Sequence, residues 1–143
     1  MDGFHWLIAG KIAGSPRPRS PHDVVIWRSL GIAAIVSLTE DELDFTGFHV
    51  LHLPGPDWAA PSIAQLNAAI AFIDECFGTG IPVVVHCAGG KGRTGTVLAS
   101  WLISQGTPAS IAIRRIRELS PGSIETLEQV RALETFQSRR ASQ

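Results

Sequence analysis

Cys87 and Arg93 stand six positions apart in the stretch Val83-Val84-Val85-His86-Cys87-Ala88-Gly89-Gly90-Lys91-Gly92-Arg93-Thr94-Gly95. A cysteine is a nucleophile when ionised. An arginine presents a planar fork of donors matched to two oxygens of a tetrahedral anion. Gly89, Gly90 and Gly92 between them let the backbone turn its N–H groups inward around such an anion. The β-branched run Val83 to Val85, entered through Ile81-Pro82, predicts a buried strand, and the apolar segment from about Thr94 to Ser104 predicts a helix. That helix aims its unpaired donors and partial positive charge at the same spot, a field that favours a thiolate. One loop, from Ala88 through Gly89, Gly90, Lys91 and Gly92 to Arg93, therefore offers both a nucleophile and a cradle for the phosphate it would attack. A buried structural cysteine is the simpler use of Cys87 alone, but it leaves the glycines and Arg93 unexplained. A nucleotide-binding loop of the Walker type needs Ser or Thr after its lysine, and Lys91 is followed by Gly92.

The pattern His86-Cys87-x5-Arg93-Thr94-Gly95 resembles the signature of the cysteine-based protein tyrosine phosphatase superfamily. A sulfur-carrier loop of the rhodanese type is one residue shorter and fits less well. The chain is most similar to the small dual-specificity phosphatases of atypical or archaeal type. Trp6 to Gly10 with Ala13-Gly14, Val36 to Glu40, Pro56-Asp57 and Pro121 to Thr126 have counterparts there in the same order. The resemblance implies a tyrosine-phosphatase-like fold and metal-independent hydrolysis of phosphotyrosine, extending to phosphoserine and phosphothreonine, through a phosphocysteine, with no cofactor. It also implies that Asp57 is the general acid and that the Thr94 hydroxyl donates to the sulfur. The residues agree for Asp57, which lies in a loop framed by Pro54, Gly55, Pro56 and Pro61, free to swing over a pocket. Trp58 beside it either lines the pocket or anchors the loop. Gln129 matches the second of two family glutamines that face the site. Glu125 stands where the first would be, and a helix-start carboxylate held by the helix dipole is the alternative. His86 is expected to orient the loop through hydrogen bonds.

An alternative substrate class is phosphoinositides or other non-protein phosphomonoesters. Lys91 motivates it, since a phosphoinositide phosphatase of the superfamily has a similar loop with lysine there; that relative also has a lysine directly after the cysteine, where this chain has Ala88. A phosphate-binding adaptor that keeps the fold is the non-enzymatic reading, and the presence of Cys87, Arg93, Asp57 and Thr94 together argues against it. The chain contains no tyrosine, so the tyrosine-walled pocket of the larger tyrosine-specific enzymes is absent and a shallower one is expected.

The chain of 143 residues is 45% hydrophobic and 17% charged with a net charge of −1, which predicts a soluble globular protein of one domain over residues 1–143; the resemblance implies that this α/β domain is a phosphatase, expected as a monomer. Its phosphorylated protein or peptide substrate is the expected partner. Neither a nucleic-acid partner nor membrane insertion is expected, since there is no polybasic surface and no apolar run near the ~20 residues of a membrane span. A cytoplasmic setting suits a thiolate, and Cys76 reads as a buried helix residue. His5, His22, His49, His52 and His86 are scattered, and no metal site is expected.

The positioning elements follow from pattern. Phe4 to Gly10 predicts a first strand, and Lys11 to Arg19, dense in Gly and Pro, predicts an irregular segment. A helix with Ser20 as N-cap carries Val24, Val25, Ile26 and Leu30. Ile32 to Leu38 predicts a central strand, Thr39 to Glu42 a capped acidic helix start, and Phe48 to Leu53 another strand. Ser62 caps a helix with Leu66, Ala69, Ile70 and Ile73 at helical spacing, closed by Gly78 and Gly80. After the Cys87 loop and its helix come a helix with Ile113, Ile116 and Leu119, then one from about Glu125 to Gln137. Arg114, Arg115 and Arg117 are expected on a solvated face. Alternating strands and helices imply a mainly parallel sheet of four to five strands flanked by helices, with the ligand outside the carboxyl ends of the strands.

Overall fold

The structure, a computed structural model, describes residues 1–142. Its elements are β1 (His5–Ile8), β2 (Ile12–Ser15), α1 (Pro21–Ser29), β3 (Ala34–Ser37), β4 (His49–His52), α2 (Ile63–Thr79), β5 (Val83–His86), α3 (Gly92–Ser104), α4 (Ala109–Leu119) and α5 (Leu127–Ala141). The five strands form one sheet in the order β1-β2-β5-β3-β4. β1 joins β2 antiparallel, and the other three pairings are parallel.

Both faces of the sheet are covered, which is why its central strands read as unbroken apolar runs. Ala34, Val36, Val83 and Val85 face the larger core with α2, α3, α4 and α5. Ile35 and Val84 face the other side, with Trp27 of α1 and Phe45. Burying these side chains contributes roughly 1.5–3 kcal/mol for each large one. In α1 the buried residue is Trp27, whereas Val25 is 58% exposed and Leu30 40%; the apolar face lies off the predicted one. Ser20 occupies the N-cap of α1 without a side-chain bond, and Asp23 instead accepts the Arg19 N–H.

Two predicted elements are corrected. Lys11 to Arg19 is not irregular throughout, because Ile12–Ser15 forms β2, fully buried between β1 and β5. Gly14 is required there: a Cβ would lie 2.6 Å from His5 and 2.9 Å from the Leu98 side chain of α3. Close packing selected a weak strand former, so composition hid the strand. Thr39 to Glu42 starts no helix. Thr39 Oγ1 donates to the Asp41 carbonyl, and Asp41 makes a two-pronged ion pair with Arg17. By contrast α2 begins in a full capping box between Ser62 and Gln65 and ends at Gly80 in the left-handed conformation, with Gly78 inside the helix.

The register sets the site. Ser15 and Ser37 both lie opposite His86, and Ser37 lies opposite His52. Four parallel strands therefore end level, and the loops after β2, β3, β4 and β5 meet at one edge.

Candidate active site

Cys87 leaves the end of β5 and is 3% exposed. The chain then turns through Gly90 at φ 73°, where a Cβ would sit 2.5 Å from the Pro16 nitrogen. Only glycine tolerates both that dihedral and that approach. The segment after β2 is tied to the loop directly, since the Arg17 N–H donates to the Ala88 carbonyl. α3 begins at Gly92, two residues earlier than its apolar pattern suggests, so the helix N-terminus is part of the loop.

Arg93 lies in the first turn of α3 and is only 1% exposed. Its Nη1 donates to the Leu38 carbonyl at 2.5 Å and to the Gly55 carbonyl at 3.1 Å. Gly55 has to be small, since a Cβ there would come within 2.7 Å of Nη2. Burial pulls the guanidinium down from its usual value, opposed by the neighbouring Cys87, Asp57 and Glu40. Arg93 Nε and Thr94 Oγ1 are both buried with no partner in the protein. Leaving a buried donor unmade costs about 1–3 kcal/mol, more for a charged group. A phosphate in the loop offers acceptor oxygens for such a donor.

His86 is fully buried. One ring nitrogen lies 2.8 Å from Ser37 Oγ and the other 3.3 Å from the Cys87 carbonyl. Its ring packs against Trp27 and Phe45 at centroid distances of 5.8 and 5.4 Å. Burial, as the main cause, pushes its pKa down to about 4. The unfolded chain, with a histidine near 6.5, therefore takes up a proton that the folded one refuses between those values. Folding stability is expected to fall as pH drops from about 6.5 to 4, by up to about 3 kcal/mol from this group. Urea midpoints measured from pH 7.5 to 4.5 should show a shallower pH slope in His86→Asn than in the parent. Equal slopes would assign the acid sensitivity to other groups.

Asp57 is exposed in the loop after β4, and Trp58 beside it is 66% exposed, so Trp58 does not anchor the loop by burial. Glu125 and Gln129 both reach the phosphate loop. A Cβ on Gly92 would meet Glu125 Oε1 and Gln129 Nε2, each at 2.8 Å. Gln129 is fully buried and completes a capping box with Thr126 at the start of α5. That helix begins at Leu127, so Glu125 precedes it and is not its first-turn carboxylate.

Two cations differ from expectation. Lys91 Nζ donates to Ser120 Oγ at 3.1 Å and the Pro121 carbonyl at 2.9 Å. Its charge pins the turn after α4, while its backbone remains in the loop. Arg117 is not merely solvated, since it donates to the carbonyls of Ser123 and Ile124. It thereby holds Ile124 at φ 58°, a conformation unfavourable for a β-branched residue. Ser37, Gly55, Arg17 and Arg117 were absent from the sequence-based site. Gly55 and Arg17 act there through their own main-chain groups, for which residue type gives no signal.

Known phosphatases resemble this chain in fold and in sequence. The solved structure of Tk-PTP in its active form is 35% identical, with a TM-score of 0.87, covering 96% of this chain and 98% of that one. The tyrosine-protein phosphatase cdc-14 of Caenorhabditis elegans is 31% identical over 140 residues, which is 85% of this chain and 19% of the relative. The phosphatidylglycerophosphate phosphatase PTPMT2 of Arabidopsis thaliana is 27% identical, covering 80% of this chain and 54% of the relative. The chain thus spans about half, or less, of the length of these curated relatives. The family model described as "Polymorphic toxin system, DSP-PTPase phosphatase" matches residues 20–107. That match covers more than half of the sequence and includes Asp57, Cys87, Arg93 and Thr94, and the chain belongs to this family of DSP-PTPase phosphatases.

Proposed function

We propose that residues 1–143 form a monomeric, cytoplasmic phosphatase domain that hydrolyses phosphotyrosine in proteins or peptides, with phosphoserine and phosphothreonine within its range. The observation that carries this reading is the buried Arg93 with an unpartnered Nε in the Cys87 loop. A desolvated cation with a free donor, at a helix N-terminus and beside a thiol, is built to receive a tetrahedral dianion. The Cys87 thiolate attacks phosphorus in line, the sulfur–phosphorus bond forms, and the ester oxygen leaves with the proton of Asp57. Charge on the three equatorial oxygens is met by the N–H groups of Ala88 to Arg93 and by the Arg93 side chain. Water then attacks phosphorus, Asp57 takes its proton, and Cys87 leaves as thiolate with the Thr94 hydroxyl donating to it. Glu125, whose carboxylate lies against Gly92, holds that water in this reading. The donors of the loop take the part of a cation, so no cofactor enters either step. Both cysteines are free, in keeping with a reducing compartment.

Among the described residues no helix is long and apolar enough to cross a membrane. The position of Lys91 bears on substrate class, because its ammonium is engaged by Ser120 and Pro121. Without a free lysine over the loop, a multiply phosphorylated lipid headgroup gains little there. On purified protein, phosphotyrosine peptides are expected to exceed soluble phosphoinositides in kcat/KM by about tenfold, a difference of one charge-assisted contact. The reverse ranking would favour the lipid reading.

A further inference from the structure

The Pro54-to-Pro61 segment has the composition of a loop free to swing, yet its main-chain carbonyls are held one after another. Gln65 Nε2 donates to Pro54 O at 3.0 Å, and Arg93 Nη1 to Gly55 O at 3.1 Å. Gln129 Nε2 donates to both Asp57 O and Ala59 O at 3.3 Å, and Thr126 Oγ1 donates to Trp58 O at 3.4 Å. The last two donors belong to one device. In the capping box of α5, Gln129 Oε1 accepts the Thr126 N–H and Thr126 Oγ1 accepts the Gln129 N–H. Capping uses only the acceptor side of each group. Each still has hydrogens to give, and these go to the acid loop. The Gln129 head also lies against Gly92 of the phosphate loop. Acid loop, helix start and phosphate loop are therefore joined at a single fully buried amide.

We propose that Gln129, through the α5 capping box, is a positioning residue that latches the Asp57 loop in its working place whether or not a phosphate is bound. The inference rests on Asp57 being the general acid. A preset acid needs no closing step, and the ordering cost of the loop is met on folding instead of at each turnover.

Gln129→Glu isolates the latch, because it keeps the oxygen that caps α5 and replaces the donating nitrogen with an acceptor. Gln129→Met removes both functions at similar volume. The new carboxylate of Gln129→Glu also repels the substrate dianion, but equally for every leaving group. Loss of the latch instead penalises leaving groups that need a proton. For both variants the loss in kcat/KM with phenyl phosphate is expected to exceed that with 4-nitrophenyl phosphate by about tenfold or more. In an Asp57→Asn background the extra selectivity should vanish, since the two residues act as one unit. Equal losses for both esters, while Asp57→Asn alone still discriminates between them, would overturn the latch and leave Gln129 a helix cap. If Asp57→Asn does not discriminate, the acid assignment fails and the latch falls with it. Hydrogen exchange on the unaltered protein gives a test independent of variant folding. Amides of residues 57–59 should be equally protected with and without vanadate, and added protection on vanadate binding would show a loop that closes on its ligand and overturn the proposal.

Discussion

Cys87→Ser is expected to lower hydrolysis of an aryl phosphate by about 10⁴-fold or more, with the fold intact. Serine fits the space but its hydroxyl stays protonated, and no base stands ready to activate it. The adjacent imidazole is committed: His86 spans Ser37 Oγ and the Cys87 carbonyl within the core. Arg93→Lys should cost roughly 10²–10³-fold, as for loss of a transition-state donor. A lysine has no fork with which to hold the Leu38 and Gly55 carbonyls and still present a donor to phosphate. Thermal unfolding of both variants should track the parent for Cys87→Ser and fall for Arg93→Lys, which leaves two carbonyl contacts unmade. Activity should persist in a chelator, and vanadate should inhibit as a pentavalent mimic of the transferred group. Near-full turnover by Cys87→Ser would rule out the phosphocysteine, as would loss of activity in EDTA that added metal restores.

Asp57→Asn is expected to flatten one side of a bell-shaped rate–pH profile. On the acid side the rate falls because the nucleophile becomes protonated. On the basic side it falls because Asp57 loses the proton it must deliver. Removing the carboxyl therefore removes the basic limb and leaves the acidic one. The rate at the optimum should drop about 10²-fold for esters with poor leaving groups and far less for activated aryl esters. Measuring kcat/KM against pH for both ester types checks the assignment. An unchanged profile would move the acid to another carboxyl, and Glu125, against Gly92, would be the next to test.

Much of the site was legible because its chemistry is local. Cys87, the glycines and Arg93 lie within one strand–loop–helix, where spacing along the chain is also spacing in space. Val83 to Val85, the run Ile32 to Leu38 and the Ser62 cap were readable for the same reason, since burial on two faces and helix-start preference leave local traces in residue type. β2 left none. Gly14 is small because His5 of β1 and Leu98 of α3 press on it, and that demand comes from elsewhere in the fold. Thr39 to Glu42 had a helix-start composition, but Asp41 is claimed by Arg17, 24 residues away.

The sequence by itself determined the candidate nucleophile, its candidate cradle, the candidate acid and the mainly parallel sheet that brings strand ends together. Tertiary structure alone decided how Arg93 is aimed, where the Lys91 charge goes, and what holds the acid loop. Those outcomes rest on bonds from side chains to carbonyls 55, 30 and 72 positions away, at Leu38, Pro121 and Asp57. Every residue carries a carbonyl, so the acceptor leaves no mark on residue type, and only the folded register shows which one a donor meets.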